Sequence, residues 1–156
     1  MKQEIERKFL LTNDTWRNGL TGTAYKQAYL SNNPDRVVRI RIAGDKGFIT
    51  IKGKPAPKSI SRPEYEYEIP LEDAEYLYAN LCEPGKIEKT RYLYEFKGHT
   101  WEIDEFHGEN EGLVVAEIEL ELENESFEKP DWVGEDVSLD FKYSNGNLSK
   151  KPYKSW

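Results

Sequence analysis

The sequence predicts a mainly antiparallel β fold of the α+β type, an eight-stranded closed barrel with helices packed outside. Three observations lead there. Segments that alternate with period two follow one another along most of the chain. Short runs rich in Gly, Asn, Asp and Pro separate several of them at hairpin distances. The charged residues of these segments fall on one face and are sorted by sign, strand by strand. The 156 residues fit one domain, 1–156, long enough to bury a core.

The first strand is expected at 2–10. There "EIERKF" sets Glu4, Glu6 and Lys8 on one face and Ile5, Arg7 and Phe9 on the other. Glu and Lys are poor strand formers, so the charged row needs a reason. "NDTWRNGL" (13–20) opens with capping residues and reads as a short helix. Strands at 23–32 and 35–43 flank the turn "NNPD", and in the second of them Arg39 and Arg41 oppose Val38, Ile40 and Ile42. After "GDKG", a strand at 46–53 sets Thr50 and Lys52 against Ile49 and Ile51. The polar loop "KPAPKSISRP" leads to a strand at 62–69, where Glu64, Glu66 and Glu68 oppose Tyr65, Tyr67 and Ile69. A helix over 71–81 places Ala74, Leu77, Tyr78 and Leu81 on one face and stops at "EPG". Strands at 86–96, 98–107 and 113–123 then carry, each on one face, Lys89 with Arg91, Glu102 with Asp104, and Glu117 with Glu119 and Glu121. Short helices are expected at 130–134 and 139–149.

Composition narrows the function. Charged residues make up 33% and the formal net charge is −7, which argues against nucleic acid as the main partner. The single cysteine, Cys82, excludes a disulfide framework within the chain and reads as a small buried hydrophobe. No apolar run approaches a membrane span, and the charged N-terminus shows no signal peptide, so a soluble cytoplasmic protein without a membrane partner is expected. His99 and His107 fall in or beside turns and read as surface residues. Trp132, Tyr153 and Trp156 read as exposed aromatics, free to cover an open barrel end or a second subunit of a homodimer.

A half-buried sheet that simply meets water mixes its charges and carries more Ser, Thr and Gln. Segregated charge over so many strands points elsewhere. If the sheet closes with these charges inward, its lumen holds side chains or one small ligand. Like charges there repel, and an unpaired buried charge costs several kcal/mol. Lys8, Arg39, Arg41, Lys52, Lys89 and Arg91 therefore call for a polyanion, and the neighbouring carboxylates for a hard divalent cation bound through oxygen. A polyphosphate carried with Mg²⁺ or Mn²⁺ supplies both. A carboxylate removed from an acidic cluster should relieve repulsion, so Glu4→Gln and Glu119→Gln are expected to keep the fold.

In their order, "EIERKF", "VRIRI", "TIKG", "EYEYEIP", "EKTRY", "WEIDEF" and "GLVVAEIELE" resemble the triphosphate tunnel metalloenzymes, the CYTH superfamily. "PDWVGEDVS" followed by "YSNGNLS" is similar to the short bacterial inorganic triphosphatases among them. The resemblance covers nearly the whole chain. It implies an eight-stranded tunnel that binds triphosphate with one or two Mg²⁺ or Mn²⁺ ions. Carried over, the metal ligands fall on Glu4, Glu6, Glu117 and Glu119. The phosphate-binding side chains fall on Lys8, Arg39, Arg41, Lys52, Lys89 and Arg91, with Glu64, Glu66 and Asp104 as supporting acids. The implied activity is hydrolysis of inorganic triphosphate, with nucleoside or thiamine triphosphates as further substrates, by metal-activated water. A class IV-type adenylyl cyclase and a non-catalytic polyphosphate-binding module are the competing readings.

Overall fold

A computed structural model of the chain describes residues 2–156. The alternation decides the architecture. Strands β1 (Lys2–Leu11), β2 (Thr23–Asn33), β3 (Arg36–Ala43), β4 (Lys46–Gly53) and β5 (Ser61–Ile69) precede helix α1 (Leu71–Asn80). Strands β6 (Ile87–Phe96), β7 (His99–Phe106), β8 (Val114–Glu119) and β9 (Val133–Asp136) follow, with helix α2 (Asn145–Lys150) near the end. All pairings are antiparallel, and the sheet runs β5-β4-β3-β2-β6-β7-β8-β1-β9. The β6–β7 hairpin turns on Lys97 and Gly98, both with positive φ, the backbone that twisted two-residue turns require.

β1 closes the ring. One of its edges runs along β8, with Glu6 opposite Glu119 and Lys8 opposite Glu117. Its other edge is shared: Lys2–Ile5 pair with Ser61–Glu64 of β5, and Phe9 and Leu11 pair with β9. Eight strands thus form the closed barrel and β9 is an added lip. The sequence reading placed a helix at 130–134, but that stretch is a turn that leads into β9. The cause is the edge of β1, which β5 leaves unpaired past Ile5 and which needs backbone partners.

The apolar core lies outside the barrel wall. Ile5, Phe9, Trp101, Ile103, Ala116 and Ile118 point outward and are buried beneath Trp16, Leu120 and Trp132. The cover is therefore irregular chain rather than helix. The helix expected at 13–20 is only a 3-10 turn at Thr15–Arg17 that seats Trp16, and Trp132 is buried rather than exposed. On the far side α1 lies across β3 and β4, so close that a Cβ on Gly47 would run into Ala74. α1 does not reach everything: Ile51, Tyr65 and Tyr67, on the faces opposite the charged rows, remain exposed, and Cys82 is only half-buried. β8 ends at Glu119, so Glu121 leaves the inward row for the surface. The expected helix at 139–149 splits into a 3-10 turn, Phe141–Tyr143, and α2. Among the described residues, no helix is long and apolar enough to cross a membrane.

This external core should dominate stability. Trp101 is fully buried, with ring centroids 5.6 Å from Phe9 and 5.7 Å from Trp132. Trp101→Ala should cost about 3–5 kcal/mol in denaturant unfolding.

Candidate active site

Every second residue of the barrel strands faces the lumen, and there the two signs of charge interlock. On one wall Lys52 Nζ lies 2.6 Å from Glu4 Oε2 and 3.7 Å from Glu64. Arg62 Nε donates to the other oxygen of Glu4 at 3.0 Å. Burial pushes the Glu4 carboxyl up, but Lys52 and Arg62 outweigh it and hold the group far below the usual carboxylate range. Glu64 is pushed up to about 7, first by burial and then by its hydrogen bond with Glu4. On the opposite wall Asp104 accepts from Lys89 Nζ at 2.8 Å and from Arg91 Nε and Nη2 at 2.8 and 2.9 Å. Asp104 drops to about 2, because Arg91 and Lys89 overcome the burial that would raise it. Lys89 falls to about 7, with burial as the chief cause and Arg91 and Arg41 adding to it, although Asp104 opposes.

Between these walls the signs are unbalanced. Glu6 and Glu117 sit side by side and share a hydrogen bond. Glu6 is driven well above its ordinary value by burial, by Glu117 and by Glu4, which makes it the more readily protonated of the two. Burial also raises Glu117, but Lys8 overcomes this and keeps it ionised. Among the described residues, Lys8 and Arg41 have no carboxylate within 4.0 Å; Lys8 Nζ donates to the Tyr143 carbonyl at 2.9 Å, and Arg41 Nε to Gln27 at 3.1 Å. Arg39 Nη2 donates to Thr50 Oγ1 at 3.1 Å, with Glu66 only at 3.6 Å, and its buried Nε has no partner.

At one end the lumen turns apolar. Two residues on from Lys8 the inward position is Leu10, beyond Asp104 it is Phe106, and before Lys89 and Glu117 it is Ile87 and Val115. Ile87, Phe106 and Val115 pack with Leu113 and with Leu148 of α2. Asn145, at the start of α2, accepts from Lys89 Nζ and Gln27 Nε2, both at 3.1 Å. The C-terminal segment therefore stoppers this end. Tyr153 packs against the same cluster, and Trp156 stacks edgewise on Tyr143 and Tyr153.

The residues read from sequence are gathered unevenly. The six cations and Glu4, Glu6, Glu64, Glu66, Asp104 and Glu117 line one lumen. Glu119 stands opposite Glu6 but is exposed, ion-paired to Lys2 at 2.6 Å. As they stand, no three carboxylate, His or Cys side chains among the described residues converge on one point. His99 pairs with Glu125 and His107 with Thr90, both away from the lumen. The reading missed Arg62, although the alternation of Glu64, Glu66 and Glu68 runs back through Pro63 to it. It also missed Tyr25, Gln27 and Asn145. The first two sit in a strand with no charged row, and Asn145 is brought in by tertiary packing alone.

A closed barrel whose lumen carries interlocked ion pairs, two cations with no carboxylate within 4.0 Å among the described residues and an orphaned buried guanidinium nitrogen defines a binding protein for a small polyanion. The chain belongs to the CYTH domain family, whose sequence profile matches residues 2–153. It is 50% identical over 156 residues to an inorganic triphosphatase of Acetivibrio thermocellus, covering 100% of this chain and 99% of that one. To an inorganic triphosphatase of Nitrosomonas europaea it is 35% identical over 151 residues, 94% of this chain and 96% of the other. The crystal structure of an inorganic triphosphatase superposes with a TM-score of 0.66 at 33% identity, covering 96% of this chain and 95% of that one.

The geometry separates two acids that the sequence treats alike. Glu4 neutralises buried Lys52 and half-buried Arg62, contrary to the expectation that its removal relieves repulsion and keeps the fold. Glu4→Gln should destabilise the ligand-free chain by about 3 kcal/mol at pH 7. Glu6→Gln should leave the melting temperature equal or higher. The folded chain keeps Glu6 protonated while the unfolded chain ionises it, so the wild type loses stability as pH rises above about 4.5, a loss that Gln abolishes. Parallel thermal melts at pH 4.5 and 7 check both signs.

Proposed function

We propose that this chain is a metal-dependent hydrolase of inorganic triphosphate. The observation that carries the reading is the set of lumen cations without acids of their own: Lys8, Arg41 and the orphaned Nε of Arg39. Such donors are costly to bury unless an external anion completes them. The names of the two curated relatives agree with a triphosphate in that role and favour hydrolysis over cyclisation.

The acids fit a hard divalent ion. Glu6 and Glu117 are oxygen donors already in contact, with only a proton between them, which a cation displaces. Glu4 and Glu119 flank them and are the further donors, at present drawn off by Lys52, Arg62 and Lys2. Bound there, Mg²⁺ or Mn²⁺ supplies neutralisation of phosphate charge and a more acidic water. The protein's own groups do the rest. Arg39, Arg41, Lys8 and Arg91 hold the phosphate oxygens in line, and Lys52 and Lys89 spread charge toward the leaving diphosphate. Glu64 and Glu66 steady Lys52 and Arg39, and Asp104 fixes Lys89 and Arg91. The stoppered end excludes bulk water from one side of the site.

Phosphate release from inorganic triphosphate with Mg²⁺ should far exceed cyclic AMP formation from ATP, and cyclase activity as the larger of the two would overturn the reading. Arg39→Ala should lower kcat/KM roughly 30- to 100-fold through loss of charge-assisted bonds. Lys89 adds a pH signature. It titrates near 7 in the free chain, whereas a polyanion beside it raises that value. Binding of triphosphate at pH 8 without a divalent ion should therefore take up a proton, and affinity should fall as pH climbs above 7. Calorimetry in two buffers of different ionisation enthalpy reads the uptake directly.

A further inference from the structure

Tyr25 belongs to none of the charged rows, yet it sits among the lumen cations. It lies on β2, opposite Ala43 of β3 and Lys89 of β6. Its ring is 5.0 Å from the Arg41 guanidinium carbon, 4.8 Å from that of Arg91 and 5.9 Å from Lys89 Nζ. Arg41 comes from β3, and Lys89 and Arg91 from β6. Arg91 and Lys89 are also tied to Asp104, but among the described residues Arg41 has a single hydrogen bond, to Gln27. Arg41 is repelled by Arg39 and Arg91, and burial, the larger cause, joins them in bringing it down to about 10. A long side chain with one tether and two like-charged neighbours tends to swing away. An aromatic face is the one neutral surface that attracts a guanidinium and can lie between two of them.

We infer that Tyr25 is a positioning residue for anion binding: its ring holds Arg41 beside Arg91 in the lumen, so that a polyphosphate meets both guanidinium groups already in place. The inference rests on the triphosphate reading for its ligand. The ring acts through its face, so the hydroxyl is dispensable, and the benefit is order already present in the empty site rather than a contact formed during the reaction.

The test compares Tyr25→Phe, Tyr25→Leu and Tyr25→Met, each checked by thermal melting. Tyr25→Leu should raise both the Kd for inorganic triphosphate with Ca²⁺ and the KM with Mg²⁺ about 5- to 20-fold, with kcat within about twofold. Tyr25→Phe should restore wild-type values within about twofold. In an Arg41→Ala background, Tyr25→Leu should add little, because the group it positions is gone. Tyr25→Met repeats the measurement if the Leu variant melts early. In the metal-free chain, the Arg41 and Arg91 Hε resonances should be shifted by the ring and should revert in Tyr25→Leu. Unchanged binding in Tyr25→Leu, a Phe variant as weak as Leu, or multiplying losses with Arg41→Ala would each overturn the inference. A wild-type chain that neither binds nor hydrolyses triphosphate overturns the functional reading instead, and the Hε shifts then still decide what Tyr25 does.

Discussion

The constraint on which this barrel depends is charge balance across strand neighbours. Seven cations line one lumen: Lys8, Arg39, Arg41, Lys52, Arg62, Lys89 and Arg91. Left to themselves they would force the wall open. Two acids bear most of the burden, and each serves two cations at once: Glu4 between Lys52 and Arg62, and Asp104 between Lys89 and Arg91. Their carboxyls are correspondingly held low, while Glu6, left beside another acid, is driven the other way. Structural and functional charge are thus divided within one lumen. Balanced pairs keep the ring shut, while Lys8 and Arg41 stand outside them.

A lumen full of charge inverts the usual arrangement of a small β domain. The hydrophobic driving force has to come from outside the barrel, and it comes from aromatic packing on the outward faces of β1, β6, β7 and β8. Trp101, Trp132, Phe9 and Phe127 meet edge-on or tilted, which suits large rings contributed by separate segments. At one end of the lumen Ile87, Phe106, Val115 and Leu148 form an apolar stopper. It lies where the inward rows lose their charge, so one change of residue type ends both the polar site and its solvent path.

The strands and their faces were legible because period two survives in each of them, and because charges sorted by sign along one face suit a closed lumen far better than a face in water. "EIERKF" alone marks the inward row of β1, and the register of β1 on β8 sets its members against Glu117 and Glu119 as alternation demands. What escaped was set by tertiary context. β9 exists because β1 offers an edge, not because "VGED" is a strong strand former. Trp132 looked exposed in a Pro- and Asp-rich run, but Trp101 gives it a buried partner. Glu4 and Glu6 look equivalent two residues apart, yet β5 sends Arg62 to one and β8 sends Glu117 to the other. Such a difference is invisible until the neighbouring strands are known.

The double role of β1 has a consequence for how the chain comes together. It precedes the strands it pairs with in the chain, and its partners are Ser61–Glu64, Val115–Glu119 and Val133–Asp136. Until residues near 136 are available, its charged row and its two edges have nowhere to go, and the ring of strands stays open. Contacts this distant in sequence slow folding, because the entropy of a long loop is lost before the pairing compensates it. The hairpins β2–β3–β4–β5 and β6–β7 can form locally as the chain emerges, and β1 then acts as the closing seam. Its Glu and Lys residues serve a second purpose during that wait, since a charged strand is a poor template for pairing with other unfinished chains.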